Sequence, residues 1–121
     1  MLASLDVESL FTNVPVMETI DIICDCLYRN ATIPPPVINE GTLRDLLIAC
    51  TTESPFLHSN GNIYTQIDGV SMGSPLGVTF ANFYMTHLEN SVFASFPSIK
   101  PIIYSRFIDD CFIIVESSDQ I

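Results

Sequence analysis

Three aspartates, two of them adjacent, lie in apolar stretches at opposite ends of this sequence. Asp109 and Asp110 interrupt the apolar run 102–115, and Asp6 ends a short apolar segment near residue 1. A carboxylate pair among buried strands repels itself and resists desolvation. One alternative is that the pair only forms a hairpin turn, since aspartate tolerates the positive φ of tight turns. Combined with Asp6, the pair instead predicts a metal site.

The predicted ligands are all carboxylates, which suit a hard divalent cation. Mg²⁺ prefers oxygen ligands, and two such ions about 3.5–4 Å apart stabilise the attacking and leaving oxygens of an in-line phosphoryl displacement. We expect Asp6 and Asp109 to bridge two Mg²⁺ ions, with Asp110 alongside and Mn²⁺ as a substitute. The cations would also neutralise the repulsion among the clustered acids.

The hydrophobic periodicity predicts the elements that must position these acids. Apolar residues follow the helical period in three segments, at 16–28, 42–51 and 75–93. The strand signals are a segment at 2–6, a hairpin around Asn60-Gly61, and a final strand pair turning at Asp109-Asp110. Strands and helices that do not strictly alternate predict an α+β fold, an antiparallel sheet with helices packed on one face. Such a sheet would bring the first strand's end beside the final turn.

Two predicted helices have recognisable starts and apolar faces. Thr42 is expected to cap the second helix, and Ser74 to cap the third with Pro75 at its first position. The second helix is expected to present Leu43, Leu46, Leu47 and Cys50 on one face. The third is expected to bury a stripe of Leu76, Phe80, Phe83, Tyr84, Leu88 and Val92.

Length and composition predict one folded domain with no membrane segment. The chain has 121 residues, of which 48% are apolar and 15% charged, well away from the composition of disordered chains. No apolar run reaches the length of a membrane span, and no secretory signal is visible. We therefore expect an intracellular protein, nuclear or cytoplasmic, with no membrane partner. The four cysteines are expected to be reduced core residues.

The charge balance argues against nucleic-acid binding by this chain alone. Four basic and fourteen acidic residues give a net charge of −10. Binding to DNA or RNA normally needs lysine and arginine to displace counterions from phosphates. Any function on nucleic acid must therefore draw its positive surface from elsewhere. For Arg106, contact with a primer backbone and an outward strand position both remain open.

Three segments together resemble the palm of a reverse transcriptase. Residues 6–11 (DVESLF), 69–76 (GVSMGSPL, with AN at 81–82) and 106–110 (RFIDD) are similar to its A, B and C motifs, in the right order. The longer stretches 5–15 and 66–75 resemble Penelope-like retroelements. The resemblance covers essentially the whole chain.

The resemblance implies roles for specific residues. Asp6, Asp109 and Asp110 would be the catalytic, metal-binding acids. Phe11 would lie under the sugar, where its ring excludes a 2′-hydroxyl and selects deoxynucleotides; its alternative is an ordinary core aromatic. Gly69 and Gly73 would let the backbone approach the incoming nucleotide.

Residues near the template and primer show both agreement and departure. Ser74, Pro75 and Phe107 match positions that contact the primer or template. Ser71-Met72 stands where many relatives carry Pro-Gln, and Phe107 where tyrosine is usual. These departures bear on primer and template contacts and leave the metal ligands untouched.

The resemblance also implies partners and missing parts. An RNA template, a DNA primer and deoxynucleoside triphosphates would be the substrates. In this family the fingers precede the first acid and the thumb follows the palm, so we expect residues 1–121 to be a partial reverse transcriptase domain without fingers and thumb, inactive alone. Two alternatives remain: an RNA-directed RNA polymerase palm, against which Phe11 argues, and a non-catalytic retroelement relic serving as an interaction module.

Overall fold

The computed structural model describes residues 1–116, and its elements alternate irregularly between strands and helices. They are β1 (Leu2–Asp6), α1 (Leu10–Asn13), α2 (Val16–Tyr28), α3 (Glu40–Thr52), β2 (Pro55–Leu57), β3 (Ile63–Thr65), α4 (Pro75–Ser95), a 3₁₀ turn (Pro97–Ile99), β4 (Ile103–Phe107) and β5 (Asp110–Ile114). Among residues 1–116, no helix combines the length and hydropathy needed to cross a bilayer.

The main sheet has three antiparallel strands in the order β1-β5-β4. The first strand therefore pairs with the last, and Leu5 lies opposite Cys111, which lies opposite Arg106. The short strands β2 and β3 form a separate hairpin around Asn60-Gly61, as the sequence predicts. Gly61 adopts a φ of 84°, which that turn requires.

The two faces of the main sheet differ in their surroundings. Side chains alternate between faces along a strand, so Tyr104, Arg106 and Cys111 share one face. That face packs on α4, where the rings of Phe93 and Tyr104 lie 5.2 Å apart at 76°. The opposite face carries exposed residues, including Phe107 with 76% of its surface accessible. The predicted α+β fold with helices on one face is confirmed.

The core lies between α2, α4 and the segment that follows β1. Apolar residues on the helical period bury one stripe of each helix. The buried residues of this core are Leu10, Val14, Ile20, Ile23, Cys24, Val70, Phe80, Ala81 and Met85. Because Leu10 and Val70 belong to this cluster, the same core that stabilises the helices also fixes the segments next to Asp6 and Gly69.

The structure corrects the start and packing of α3. The cap is Asn39, whose Oδ1 accepts a hydrogen bond of 2.8 Å from the Thr42 amide, so the prediction of Thr42 was wrong. Asparagine at this position satisfies a helix amide that has no partner within the helix. No residue of α3 is fully buried, and Leu46 and Cys50 are exposed. The helix thus lies on the outside of the core.

Other burial predictions hold only in part. In α4, Phe80 is buried, whereas Leu88 and Val92 are exposed. The prediction that all four cysteines are core residues was half wrong. Cys24 and Cys111 are buried, whereas Cys26 and Cys50 are exposed. All four are free thiols.

Candidate functional site

The three aspartates lie together at one end of the main sheet. Asp6, the last residue of β1, lies directly opposite Asp110, the first residue of β5. The Val7 amide donates a hydrogen bond of 2.9 Å to the Asp109 carbonyl and joins the two segments beyond the strand ends. One carboxylate oxygen from each of the three acids lies within 4.8 Å of the others. Asp109 is half-buried, and the other two acids are exposed.

The hairpin turn lies one residue earlier than the sequence predicts. Its two loop residues are Ile108 and Asp109, while Asp110 is already paired in β5 opposite Phe107. Ile108 adopts a φ of 58°, an unfavourable conformation for a β-branched residue. Neither aspartate has a positive φ in this turn, so tolerance of positive φ does not explain why acids stand here. Strain at such a position is typical of functional sites.

The donor set suits a hard divalent cation. All three side chains offer carboxylate oxygens, the ligands that Mg²⁺ and Mn²⁺ take in proteins. The exposed members leave room for water and substrate oxygens. Because Asp6 and Asp110 extend from paired strands, their separation is fixed by the sheet rather than by flexible loops.

Phe107 lies beside the acids on the open face of the sheet. Asp6, Asp110 and Phe107 occupy one row across β1, β5 and β4. Since Arg106 and Cys111 face α4, their neighbours in this row face away from it. The aromatic ring is largely accessible. A polymer bound over this face would meet the carboxylates and the ring together.

The segment 69–77 is held against the helix that follows β1. The Val70 amide donates a hydrogen bond of 2.7 Å to the Phe11 carbonyl. Gly69 has a φ of 71°, and a Cβ there would fall within 3.0 Å of that carbonyl oxygen and of Thr12 Cα. Glycine at 69 is therefore required by the chain's own packing.

Gly73, Ser74 and Pro75 form the entry to α4. The Ser74 Oγ accepts a hydrogen bond of 3.2 Å from the Leu76 amide, and Pro75 begins the helix, as the sequence predicts. A Cβ on Gly73 would meet no atom within 4 Å, so nothing in the chain itself demands glycine there. Gly73, Ser74 and Gln66 line a groove of about 380 Å³ between this segment and the end of α3.

Phe11 belongs to α1, the four-residue helix that follows β1. Its side chain is half-buried and packs against the main core. A Cβ on Gly77 would lie 3.5 Å from the Phe11 Cδ1, which places the ring beside the first turn of α4. Phe11 therefore contributes to packing while the residue as a whole remains partly accessible.

One protein-family model matches the whole chain. The model of the family described as reverse transcriptase (RNA-dependent DNA polymerase) matches residues 1–121. The chain belongs to the reverse transcriptase family. No curated protein shows a significant match to the sequence.

Two solved telomerases have the fold of this reverse transcriptase-family chain. One is telomerase from Candida albicans in complex with a fragment of telomeric RNA (TM-score 0.74, 10% identity, covering 98% of this chain and 23% of that one). The other is apo telomerase from Candida tropicalis truncated from its C-terminal domain (TM-score 0.73, 13% identity, covering 98% and 24%). At these identities the likeness shows the fold alone. The chain spans about a quarter of either telomerase chain.

Arg106 takes neither position that the sequence left open. Its side chain is only 7% exposed and forms an ion pair with Glu89 of α4. The guanidinium also donates to Asn82 Oδ1 at 3.0 Å and to the Ile108 carbonyl at 2.8 Å. An outward position and a primer contact are both wrong for this reverse transcriptase-family chain, because the alternation of β4 directs Arg106 towards α4.

Tyr104 joins the same buried network. Its hydroxyl donates to Glu89 Oε1 at 2.5 Å and lies 3.4 Å from the Cys111 Sγ. Burial raises the pKa of Tyr104 well above its usual value, and the bonds with Cys111 and Glu89 act in the same direction. The tyrosine therefore remains a neutral donor beside the ion pair.

Sequence reasoning missed two features of this site. Gly77 has a structural role, because a Cβ there would fall within 3.0 Å of the Ser71 carbonyl oxygen. A glycine inside a strong helical pattern was the available signal. The pairing of Arg106 with Glu89 had no such signal, since the two residues are 17 positions apart in different elements.

Proposed function

We propose that this chain is the catalytic palm segment of an RNA-directed DNA polymerase. Asp6, Asp109 and Asp110 would bind divalent metal, Mg²⁺ above all, for transfer of deoxynucleotides to a primer 3′-hydroxyl. The observation that carries the proposal is the approach of their carboxylate oxygens to within 4.8 Å in a chain of the reverse transcriptase family.

The chain's own contribution would be positioning. When bound, two divalent cations supply charge stabilisation for an in-line phosphoryl displacement. Asp6 and Asp110 are held by the pairing of β1 with β5, and Asp109 by its backbone bond to Val7. Fixed carboxylates reduce the entropic cost of orienting the reacting groups. No covalent chemistry is required of the protein.

Phe11 would select the sugar of the incoming nucleotide. A partly buried aromatic residue that is packed against the core would be a rigid barrier to a 2′-hydroxyl. Gly69 and Gly73 would let the backbone approach this nucleotide. The absence of any atom near a Cβ on Gly73 supports a requirement from outside the chain.

Ser74, Pro75 and Phe107 would contact the template and primer. Ser74 borders the groove of about 380 Å³, Pro75 follows it at the start of α4, and Phe107 offers an accessible ring beside the acids. Stacking on an aromatic ring tolerates any base, as a polymerase needs.

The remaining polymerase functions would reside outside these 121 residues. The net charge of −10 leaves little positive surface for a triphosphate or a duplex. We propose that fingers and thumb of a longer protein supply it, that the protein is a Penelope-like retroelement product acting in the nucleus or cytoplasm, and that the isolated chain is inactive.

The second candidate is an RNA-directed RNA polymerase palm, which would use the same acids. Phe11 weighs against it, because an enzyme that takes ribonucleotides needs space or a polar partner at that position. The third candidate, a retroelement relic acting as an interaction module, would not depend on the acids at all.

The test is primer extension on an RNA template by the complete reading frame that contains this segment. We expect deoxynucleotide incorporation that is lost in Asp109→Asn, and a smaller preference for deoxynucleotides in Phe11→Ala. Extension that survives Asp109→Asn would reject the catalytic role. A preference for ribonucleotides in the wild type would favour the RNA polymerase. Asp109-dependent extension by the isolated chain would overturn the need for other regions.

A further inference from the structure

One buried guanidinium connects α4 to the turn that carries Asp109. Arg106 lies on the helix-facing side of β4 with 7% of its side chain exposed, and its partner Glu89 is 17% exposed. The Nε bonds to the Glu89 carboxylate, while Nη2 lies 3.3 Å from the Thr86 Oγ1. All of these contacts are with one face of α4.

Arg106 also forms one hydrogen bond to the β4–β5 turn rather than to α4. Arg106 Nη1 donates both to Asn82 Oδ1 on α4 and to the Ile108 carbonyl at 2.8 Å. Ile108 is the residue with the unfavourable φ of 58°. Its carbonyl immediately precedes Asp109, so the same nitrogen that bonds to the helix also holds the peptide plane leading into the acid.

We propose that Arg106 is a positioning residue that holds the Ile108–Asp109 turn in place and thereby sets the affinity of the three aspartates for divalent cations. This inference rests on the proposed function in one respect, namely that Asp6, Asp109 and Asp110 bind the cation. Arg106 itself touches neither cation nor substrate. It acts through the backbone of Ile108.

Two forces oppose the observed position of the turn and make an anchor necessary. The positive φ at Ile108 favours relaxation towards another backbone conformation. The three carboxylates repel one another before any cation binds, which favours their separation. The Val7 amide holds the turn from the β1 side through the Asp109 carbonyl, and Arg106 holds it from the α4 side.

The sign of the effect distinguishes positioning from simple electrostatics. If Arg106 acted only as a nearby positive charge, its removal would strengthen cation binding by reducing repulsion. If it positions the turn, its removal weakens binding. Arg106→Lys separates the two directly, because lysine keeps the charge and a partner for Glu89. A single ammonium does not reproduce the fork that bonds to the carboxylate and the Ile108 carbonyl through different nitrogens.

The experiment measures Mn²⁺ binding to the 121-residue chain by electron paramagnetic resonance. Wild type, Arg106→Lys and Arg106→Met are compared after subtraction of the binding that remains in Asp109→Asn. Lys100→Met is the matched control, since Lys100 is an exposed cation that follows the 3₁₀ turn. Circular dichroism without metal gives each melting temperature, and binding is measured well below it. If Arg106→Met does not fold, Arg106→Lys decides.

We expect Mn²⁺ affinity about ten-fold weaker in both Arg106 variants, in line with other residues that orient metal ligands, and unchanged in Lys100→Met. Wild-type affinity in folded Arg106→Lys, or tighter binding in Arg106→Met, would overturn the inference and leave the proposed function standing. A wild type without Asp109-dependent binding would instead remove the cation site on which both proposals depend.

Discussion

Asp6 and Asp110 are direct partners across β1 and β5, so two carboxylates face each other on neighbouring strands. Like charges in directly opposed positions destabilise a sheet. The opposed carboxylates therefore reduce the stability of the sheet, and this effect can be measured.

The first prediction concerns stability in the absence of metal. Asp110→Asn should raise the free energy of unfolding by about 0.2–1 kcal/mol in the presence of a chelator, because one of the opposed charges is removed. Urea unfolding monitored by circular dichroism measures it. Asp45→Asn, which removes an exposed carboxylate from α3, should change stability by less. Adding Mn²⁺ should stabilise the wild type but not Asp110→Asn. A less stable Asp110→Asn would contradict this electrostatic explanation.

The second prediction compares the stability losses of alanine substitutions at three glycines whose surroundings differ. Gly69→Ala should destabilise the chain by about 3 kcal/mol, the sum of left-handed strain and displacement of the Phe11 backbone. Gly61→Ala has the same strain but open space, and should lose only about 1–2 kcal/mol. Gly73→Ala should change stability by no more than about 1 kcal/mol. Equal losses at Gly69 and Gly61 in urea unfolding would mean that the contact with Phe11 contributes nothing.

The third prediction compares the glutamate partner of the buried Arg106 with a glutamate whose ion pairs are more exposed. Glu89→Ala leaves the buried Arg106 without its counterion and should reduce the free energy of unfolding by about 3–5 kcal/mol. Glu40→Ala removes more exposed pairs with Arg29 and Arg44 and should lose at most about 1 kcal/mol. Chemical denaturation of both variants at two salt concentrations checks the difference. Only the loss of stability caused by Glu40→Ala should become smaller as the salt concentration rises.

The fourth prediction follows from the raised pKa of Tyr104. The folded chain holds the phenol proton more tightly than the unfolded chain, so this contribution to stability is present below the usual tyrosine pKa of 10.0 and is lost as the pH rises above it. The free energy of unfolding should therefore fall more steeply above pH 10 in the wild type than in Tyr104→Phe.

Tyr64→Phe is the control for that measurement. Tyr64 is exposed on β3, and hydrogen bonds from Asn60 and Asn62 lower its pKa, so its ionisation does not oppose folding. The fall in the free energy of unfolding above pH 10 should persist in this variant. If the free energy of unfolding falls equally steeply with pH in the wild type and in Tyr104→Phe, the buried phenol does not contribute to the pH dependence of stability.

Local patterns were sufficient to predict most of the elements. The periodicity of α2 and the Ser74-Pro75 start of α4 depend on neighbouring residues, and both match the structure. Predictions that needed knowledge of packing were less accurate. Leu88 has the helical period of a core residue, yet it is exposed, because periodicity marks the apolar side of a helix but not how much of that side the neighbouring elements cover. The turn was misplaced by one residue because an aspartate pair is a stronger local turn signal than isoleucine, whereas strand register put Ile108 in the loop.

The sequence by itself determined the α+β class, the order of the three motifs and the types of residue available for metal chemistry, because these depend on local propensity and composition. The tertiary structure decided which residues meet. The pairing of β1 with β5 brings Asp6 beside Asp110, and the packing of β4 on α4 turns Arg106 inward to Glu89. Contacts between residues so distant along the chain follow from the burial of a shared core, which no local pattern encodes.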